Sequence, residues 1–437
     1  MRPPKEWRSV RLRYVCEINP AARRVAGPIA FAPMDAVGVL GGIRFDQTLE
    51  QNDVSTGLSY FEEDDVIVAK ITPCFENGKC ALAENVPGGR ALGSTEFHVI
   101  RPGSTVFPRF LFYAVASAAF REPGEAHMYG AAGQKRVPTD FIKEFLLSFP
   151  DNAAQRAIAA FLDVQTARID SLMEKKQRLI TLLDEELQAL ISRAVTRGLD
   201  PSALMKDSGV EWLGRVPANW RISRLKFAVA GMEQGWSPQC DSRAAEMEEW
   251  GVLKAGCVNG GRFEESENKV LPPDLEPDPR LEIRPGDVLM SRASGSVDLI
   301  GSVAIVPERC RARLILSDKL YRLAPQRRVI EPTYIPVLLG SSIARLQIKL
   351  AVSGASGLAN NIAQPDVKDI ILPVPPCSEQ IVLLRSLASH TGKMETRRRA
   401  AEGTIALLRE YRSALITAAV TGQLDLREHE RKLEALA

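Results

Sequence analysis

The sequence repeats itself at long range. "ALISRAVTRGLD" (Ala189–Asp200) returns 225 residues later as "ALITAAVTGQLD" (Ala414–Asp425). "EFLLSFPDNAAQRAIAAFL" from Glu144 aligns without a gap on "DIILPVPPCSEQIVLLRSL" from Asp369, matching Pro150 with Pro375 and Gln155 with Gln380. Upstream, "DDVIVAK" (Asp64–Lys70) resembles "GDVLMSR" (Gly286–Arg292) at an offset of 222, and "PPKEWRSVRLRYV" resembles "VPANWRISRLKFA" at 213, matching Trp7 with Trp220 and Leu12 with Leu225. Solenoid units run to about 20–50 residues. Two long copies instead define a duplicated module whose second copy has gained residues in its middle.

Each copy has two textures. The first part holds short β-type runs such as "DVIVAKI" and "DVLMSRA" between Gly and Pro clusters, followed by a short helical stretch, and reads as an α+β domain. The second part has almost no Gly or Pro and is spaced as helix. The expected division is a globular domain over 1–150, a helical region over 151–208, a second globular domain over 209–376 and a second helical region over 377–437. In the first helical region Ile158, Leu162, Gln165, Ile169, Leu172, Lys176, Leu179, Leu183, Leu187, Leu190 and Ala194 recur at threes and fours, one apolar stripe along a helix of roughly 40 Å. In the second, Ile381, Leu384, Leu387, Met394, Ile405, Leu408, Tyr411, Leu415 and Ala419 flank a polar middle in which Gly392 reads as a break. Two matching stripes predict an antiparallel helix pair, a coiled-coil spacer packed through Leu162, Ile169, Leu172, Leu179, Leu183, Leu187, Leu190, Ile405, Leu408 and Leu415.

Three groups of residues carry a resemblance to a known family: "PP..EQ..I...L" at the start of the second helix (Pro375, Pro376, Glu379, Gln380, Ile381, Leu384), "LI..AVTG" at its end (Leu415–Gly422), and the mid-chain "KDSGVEWLGRVPANWRISRLK" (Lys206–Lys226). In these the chain resembles the specificity subunit of Type I restriction-modification systems, over its whole length and in the order of its parts. The first copy departs locally, with Asp151, Asn152 and Ala154 where the second has Pro376, Cys377 and Glu379. The resemblance implies two target-recognition domains, each reading one half of a split double-stranded DNA sequence. It also implies two helical regions that pair as a spacer and dock two methyltransferase (modification) subunits, with restriction/translocase subunits completing the complex. No cofactor is then expected on this chain, and S-adenosylmethionine is expected on the partner methyltransferase.

The residues are compatible with that reading on their own terms. Half-sites one helical turn apart lie roughly 34 Å from centre to centre, and a helix pair of roughly 40 Å is a ruler of that size. No phosphate-binding loop is present: "FENGKC" has Gly78–Lys79 but Pro73 at the first glycine position and Cys80 where a hydroxyl is needed. Asn19–Pro20 continues into Ala21–Ala22 without an aromatic to stack on a flipped base, and the four histidines show no metal spacing, so neither a catalytic nor a metal site is expected. A net charge of +2 neither demands nor excludes nucleic acid. The seven cysteines form no C-x-x-C pair, and the chain shows no signal peptide or apolar membrane span, so a reduced cytoplasmic protein is expected.

For DNA contact, two Gly-rich loops at corresponding places stand out, "YGAAGQKRVP" (Tyr129–Pro138) and "SGASGLANNIAQP" (Ser353–Pro365). Glycine lets backbone approach phosphate, and Gln134, Lys135, Arg136, Asn360 and Asn361 supply donors. Lys70 and Arg292, at the ends of matched strands, make a second pair, whereas Arg397–Arg399 read as a solvated or subunit-facing stripe. Two other classes of function stay open at this level: a coiled-coil scaffold without DNA reading, and an enzyme with a cryptic site.

Overall fold

The computed structural model describes residues 4–21, 27–50, 57–131, 133–353 and 360–424, in two compact units, one of residues 1–178 with 401–437 and the other of 179–400. The fold is α+β and pseudo-repeated. In the first unit Cys16–Ile18, Phe97–Pro102, Val66–Ala69 and Cys80–Leu82 form an antiparallel sheet in that order. In the second, Val229–Gln234, Leu320–Pro325, Val288–Ser291 and Val303–Ile305 form its counterpart in the same order.

Both matched runs, "VIVA" and "VLMS", become strands buried on both faces. Side chains alternate across a strand, so Val66 and Val68 enter one core while Ile67 and Ala69 enter another. Val288 and Met290 are likewise divided from Leu289. In the first unit Gln47–Leu49, Ile29–Ala32, Arg90–Gly93 and Ser59–Glu62 make a second sheet with one parallel pair. The second unit instead has a three-stranded sheet of Asn268–Val270, Gly251–Leu253 and Leu314–Ile315. The copies therefore agree in the sheet nearest the helices and differ in the added one.

Two long helices, Asn152–Arg197 and Cys377–Val420, each contribute to both units. Asp151, a departure from the repeat, caps the first: its carboxylate accepts from the Ala154 N–H at 2.8 Å. In the first unit Ile158, Leu162 and Ile169 share a core with Leu415, Ile416 and Ala419, and Asp170 pairs with Arg412. In the second, Ala194 and Val195 share a core with Leu383 and Leu387. The beginning of one helix thus packs with the end of the other, and the pair is antiparallel.

The repeated "AVT" phrases end the helices on glycines in the left-handed region, Gly198 at φ 71° and Gly422 at φ 73°. A Cβ on Gly198 would meet the Trp220 ring at 3.4 Å, and one on Gly422 would meet Pro4 at 2.4 Å and Trp7 at 3.1 Å. The matched tryptophans therefore close over matched helix ends. Residues 425–437, which carry most of the "LDLREHERKLEALA" tail, lie outside the described residues.

Three expectations need correction. Leu172 and Leu179 are not seam residues: they are 47% and 39% exposed, and the seam passes instead through their neighbours Met173, half-buried, and Ile180, 8% exposed. Ile158, Ile169, Ile180 and Ile191 recur every 11 residues, which is 3.67 per turn and close to the natural 3.6. A seam drawn through Leu172 and Leu179 departs from that stripe. In the second helix Ile381 and Tyr411 are exposed for the same reason. Gly392 breaks nothing, since the helix runs on from Cys377 to Val420; a glycine costs about 1 kcal/mol in a helix interior, too little to interrupt one packed along its length.

Of the other packing residues, Leu162, Ile169, Leu183, Ile405 and Leu415 are buried. Leu187, Leu190 and Leu408 are half-buried.

Candidate nucleic-acid interface

In the first unit Lys70 follows the buried strand Val66–Ala69 and emerges half-buried at its end. Its N–H donates to the Glu96 carbonyl at 2.9 Å, and its own carbonyl accepts from the Val137 N–H at 2.8 Å. The Thr72 N–H donates to the Lys135 carbonyl at 2.9 Å. These bonds lay the loop Tyr129–Pro138 against the strand end, and Tyr129 and Arg136 exchange backbone bonds of 3.2 and 2.9 Å across its neck. Gly130, at φ 137°, makes the neck possible, because a Cβ there would stand 2.7 Å from the Gln134 carbonyl oxygen. Ala132 lies outside the described residues.

The loop presents Gln134 and Lys135 to solvent. Arg136 is placed differently. Its guanidinium forks onto Glu96, Nε to Oε2 at 3.0 Å and Nη2 to Oε1 at 2.8 Å. That hydrogen bond, with the charges of Arg136 and Lys70, holds the Glu96 carboxyl below the usual range against a smaller opposing effect of burial. Arg136 therefore fastens the loop, while Lys70 and Lys135 make no ion pair among the described residues.

The second unit builds the same scaffold from other side chains. Arg292 follows Val288–Ser291; its N–H donates to the Lys319 carbonyl at 2.8 Å and its carbonyl accepts from the Ile362 N–H at 3.0 Å. Ala293–Ser294 pairs with Asn360–Asn361, and Ser353 and Asn361 exchange two backbone bonds of 3.0 Å. Residues 354–359 of the second Gly-rich loop lie outside the described residues. The Arg292 Nη1 reaches the Asp318 carbonyl at 3.3 Å, and its buried Nε has no partner among the described residues. The candidates thus come together as two groups, Lys70 with Gln134, Lys135 and Arg136, and Arg292 with Asn360 and Asn361.

Sequence reasoning missed the neighbours that complete each group. Glu96 and Lys319 occupy equivalent places, each lending its carbonyl to the matched basic residue, with opposite charges. Gln234 and Trp236 reach the second group over Gly235, where a Cβ would lie 1.9 Å from the Leu316 carbonyl oxygen. The Gln234 Nε2 donates to the Asp318 carbonyl at 3.3 Å, and Trp236 stays 36% exposed beside it. "EFHVI" and "DKLYRL", which follow matched strands, carried the available signal.

Among the described residues no cluster of three His, Cys, Asp or Glu side chains could hold a metal, and no helix is long and apolar enough to cross a membrane.

The described residues therefore hold a duplicated α+β unit with a pinned loop at the end of a buried strand, mounted on a long helix. Residues 4–182 match the family model of the Type I restriction modification DNA specificity domain. In that stretch, and along most of its length, the chain is similar to the specificity subunits of Type I restriction enzymes. It is 27% identical over 461 aligned positions to the Type I restriction enzyme EcoEI specificity subunit of Escherichia coli, a match spanning 88% of this chain and 77% of that one. With the EcoKI specificity subunit of Escherichia coli strain K12 it shares 22% identity, over 75% of this chain and 68% of the other.

In fold it is similar to a chain of a solved type I R-M system studied for complex assembly and conformational transition, with TM-score 0.74, 20% identity, and 97% of this chain and 100% of that one covered. It is also similar to the HsdS subunit of Thermoanaerobacter tengcongensis, with TM-score 0.52, 19% identity, and 97% and 98% covered.

Proposed function

We propose that the chain reads a bipartite double-stranded DNA target, one half-site by residues 1–150 and the other by 209–376, and brings methyltransferase and restriction subunits to it without chemistry of its own. The observation that carries this is a single loop scaffold built twice with different side chains, the exposed Gln134 and Lys135 in one copy and the half-buried Asn360 and Asn361 in the other. Phosphate contacts position a protein on a duplex and base-edge contacts specify sequence. Lys70, Lys135 and Arg292 suit the first task, and the amides of Gln134, Asn360 and Asn361, which can pair with adenine in the major groove, suit the second. Arg136 supports the reading surface through Glu96.

The helical regions 151–208 and 377–437 serve as spacer and as docking surface. Leu172, Leu179 and Leu182 on one helix and Ile381, Val382, Leu407 and Tyr411 on the other are exposed apolar side chains on regular helical surface, of the kind a partner helix covers. An exposed apolar surface on each of the two helices suits two methyltransferase subunits, which would carry the S-adenosylmethionine in the cytoplasm. The test is to sequence methylated genomic DNA from cells with and without this chain. A split methylated motif that appears only with the chain, and changes in one half only when Met1–Pro150 is exchanged for a relative's, is the expected result. A continuous motif, or one indifferent to the exchange, would overturn the reading.

A further inference from the structure

The two loop scaffolds share one more feature. His98, in strand Phe97–Pro102, and Tyr321, in strand Leu320–Pro325, stand at equivalent places and are 3% and 1% exposed. The His98 Nε2 lies 2.9 Å from the Val137 carbonyl oxygen, and the Tyr321 hydroxyl donates to the Ile362 carbonyl at 3.0 Å. Val137 and Ile362 are the residues whose N–H groups bond Lys70 and Arg292. Each is therefore held at both its N–H and its carbonyl, once by the strand end and once by a buried side chain.

We propose that His98 and Tyr321 are positioning residues for target recognition, each setting the seat of one loop through a side-chain donor to its closing carbonyl, and that the histidine makes reading by the first domain alone sensitive to acid. The inference rests on the half-site reading above. The chemistry follows from the partners. A carbonyl only accepts, so Nε2 carries the proton and Nδ1 is left as the acceptor, facing the Asn19 Nδ2 at 3.3 Å. Asn19 cannot turn its amide round without loss, because its Oδ1 accepts from the Val99 N–H at 2.9 Å.

A second proton on the ring would set an N–H against the Asn19 amide N–H, in a buried place that also faces the Lys70 ammonium. Burial above all, with Lys70 beside it, holds the His98 imidazole neutral to a lower pH than usual, opposed by the Val137 carbonyl and the Glu96 charge. Protonation leaves the Nε2 donor on the Val137 carbonyl but forces the ring and the Asn19 amide apart, so the seat of the loop shifts as pH falls through that depressed value, below the ordinary histidine value of about 6.5. Tyr321 is held protonated above its usual range, chiefly by burial, so its clamp does not titrate in the same window.

The experiment uses the full chain assembled with its methyltransferase subunits, and duplexes bearing the intact methylated motif or a substitution in one half. His98→Phe, which keeps a ring but no donor, is expected to cut discrimination at the first half-site about tenfold, the worth of one good hydrogen bond, and to leave the second unchanged. Tyr321→Phe is expected to do the reverse. As pH is lowered from 7.5 the wild type should lose first-half discrimination ahead of second-half discrimination, and His98→Gln, a donor that does not titrate, should restore discrimination at pH 7.5 and flatten that difference.

A wild type that selects its motif while both ring variants keep full discrimination overturns the proposal, as does a pH difference that survives in His98→Gln. Should His98→Phe fail to fold, Tyr321→Phe and the pH series decide alone. A wild type that selects no split motif overturns the half-site reading and the proposal with it.

Discussion

Gln155 and Gln380 make the same three hydrogen bonds in the two halves of the chain. The Gln155 Oε1 accepts from the Phe107 N–H at 2.8 Å while its Nε2 donates to the carbonyls of Thr105 and Pro150, both at 3.0 Å. The Gln380 Oε1 accepts from the Glu331 N–H at 2.8 Å while its Nε2 donates to Val329 at 3.0 Å and Pro375 at 2.7 Å. Both side chains are fully buried. A primary amide is the one uncharged side-chain group that offers an acceptor and two donors together, so each long helix is fastened to its globular part by a residue with no isosteric apolar substitute.

Gln155→Leu and Gln380→Leu are each expected to destabilise the chain by about 2–4 kcal/mol, because a buried backbone N–H and two carbonyls lose their partner. Thermal or urea denaturation measures this. Unchanged midpoints in both variants would remove the fastening role.

The corrected seam separates two leucines that look alike in sequence. Leu183→Asp places a carboxylate at a site 5% exposed and is expected to cost several kcal/mol. Leu172→Asp, at a site 47% exposed, should leave the melting of the isolated chain within about 0.5 kcal/mol of wild type and weaken capture of the methyltransferase instead. Equal effects on melting would restore the original seam.

At the loops proposed to read DNA, Lys70→Ala and Lys135→Ala are expected to weaken binding to all duplexes and to reduce the slope of log affinity against log salt by about one phosphate contact each. Gln134→Ala and Asn361→Ala should keep that slope and lose about 1–3 kcal/mol of discrimination at one base pair. Binding isotherms over a salt series distinguish the two patterns, and identical behaviour of all four variants would remove the loops from the interface.

Arg136 and Glu96 predict an acid limit for loop order. Glu96 titrates below its ordinary range when folded, so the stability it lends is fully present above its unfolded value of about 4.3 and is lost as pH falls through the folded value. In a His98→Gln background, where the other seat of the loop does not titrate, amide exchange at Arg136 and Val137, corrected for intrinsic rate, should stay slow from pH 7 to 5 and speed up below 4, and adding Glu96→Gln should make it fast throughout. Protection that is insensitive to Glu96→Gln would count against the lock.

The repeat made much of this legible. Gln155 with Gln380 and Trp7 with Trp220 could be matched from the sequence, because each meets a local demand, an end or a fastening, that both copies share, whereas the helix-ending glycines Gly198 and Gly422 stand one place out of register at the 225 offset. Periodicity was less discriminating: threes and fours admit Leu172 as readily as Met173, and only the 11-residue recurrence of isoleucine separates them. The loop groups were half legible. Lys70 and Gln134 fit a chemistry of DNA contact, but Arg136 fits it equally well from its residue type. Its engagement with Glu96 depends on a turn 40 residues away in the chain, which local pattern does not encode.

The first unit is assembled from residues 1–178 and 401–437, whereas the second is one continuous stretch, 179–400. On the ribosome, domains ordinarily fold in order of synthesis. Here the order is inverted: the later-encoded unit has all of its chain first, while the earlier one waits, its core open along Ile158, Leu162 and Ile169, for Leu415, Ile416 and Ala419 to be translated. Through that interval the nascent protein exposes an unfinished apolar face to chaperones and to its neighbours on the polysome, and a truncation anywhere before Leu415 damages the first unit at least as much as the region it removes.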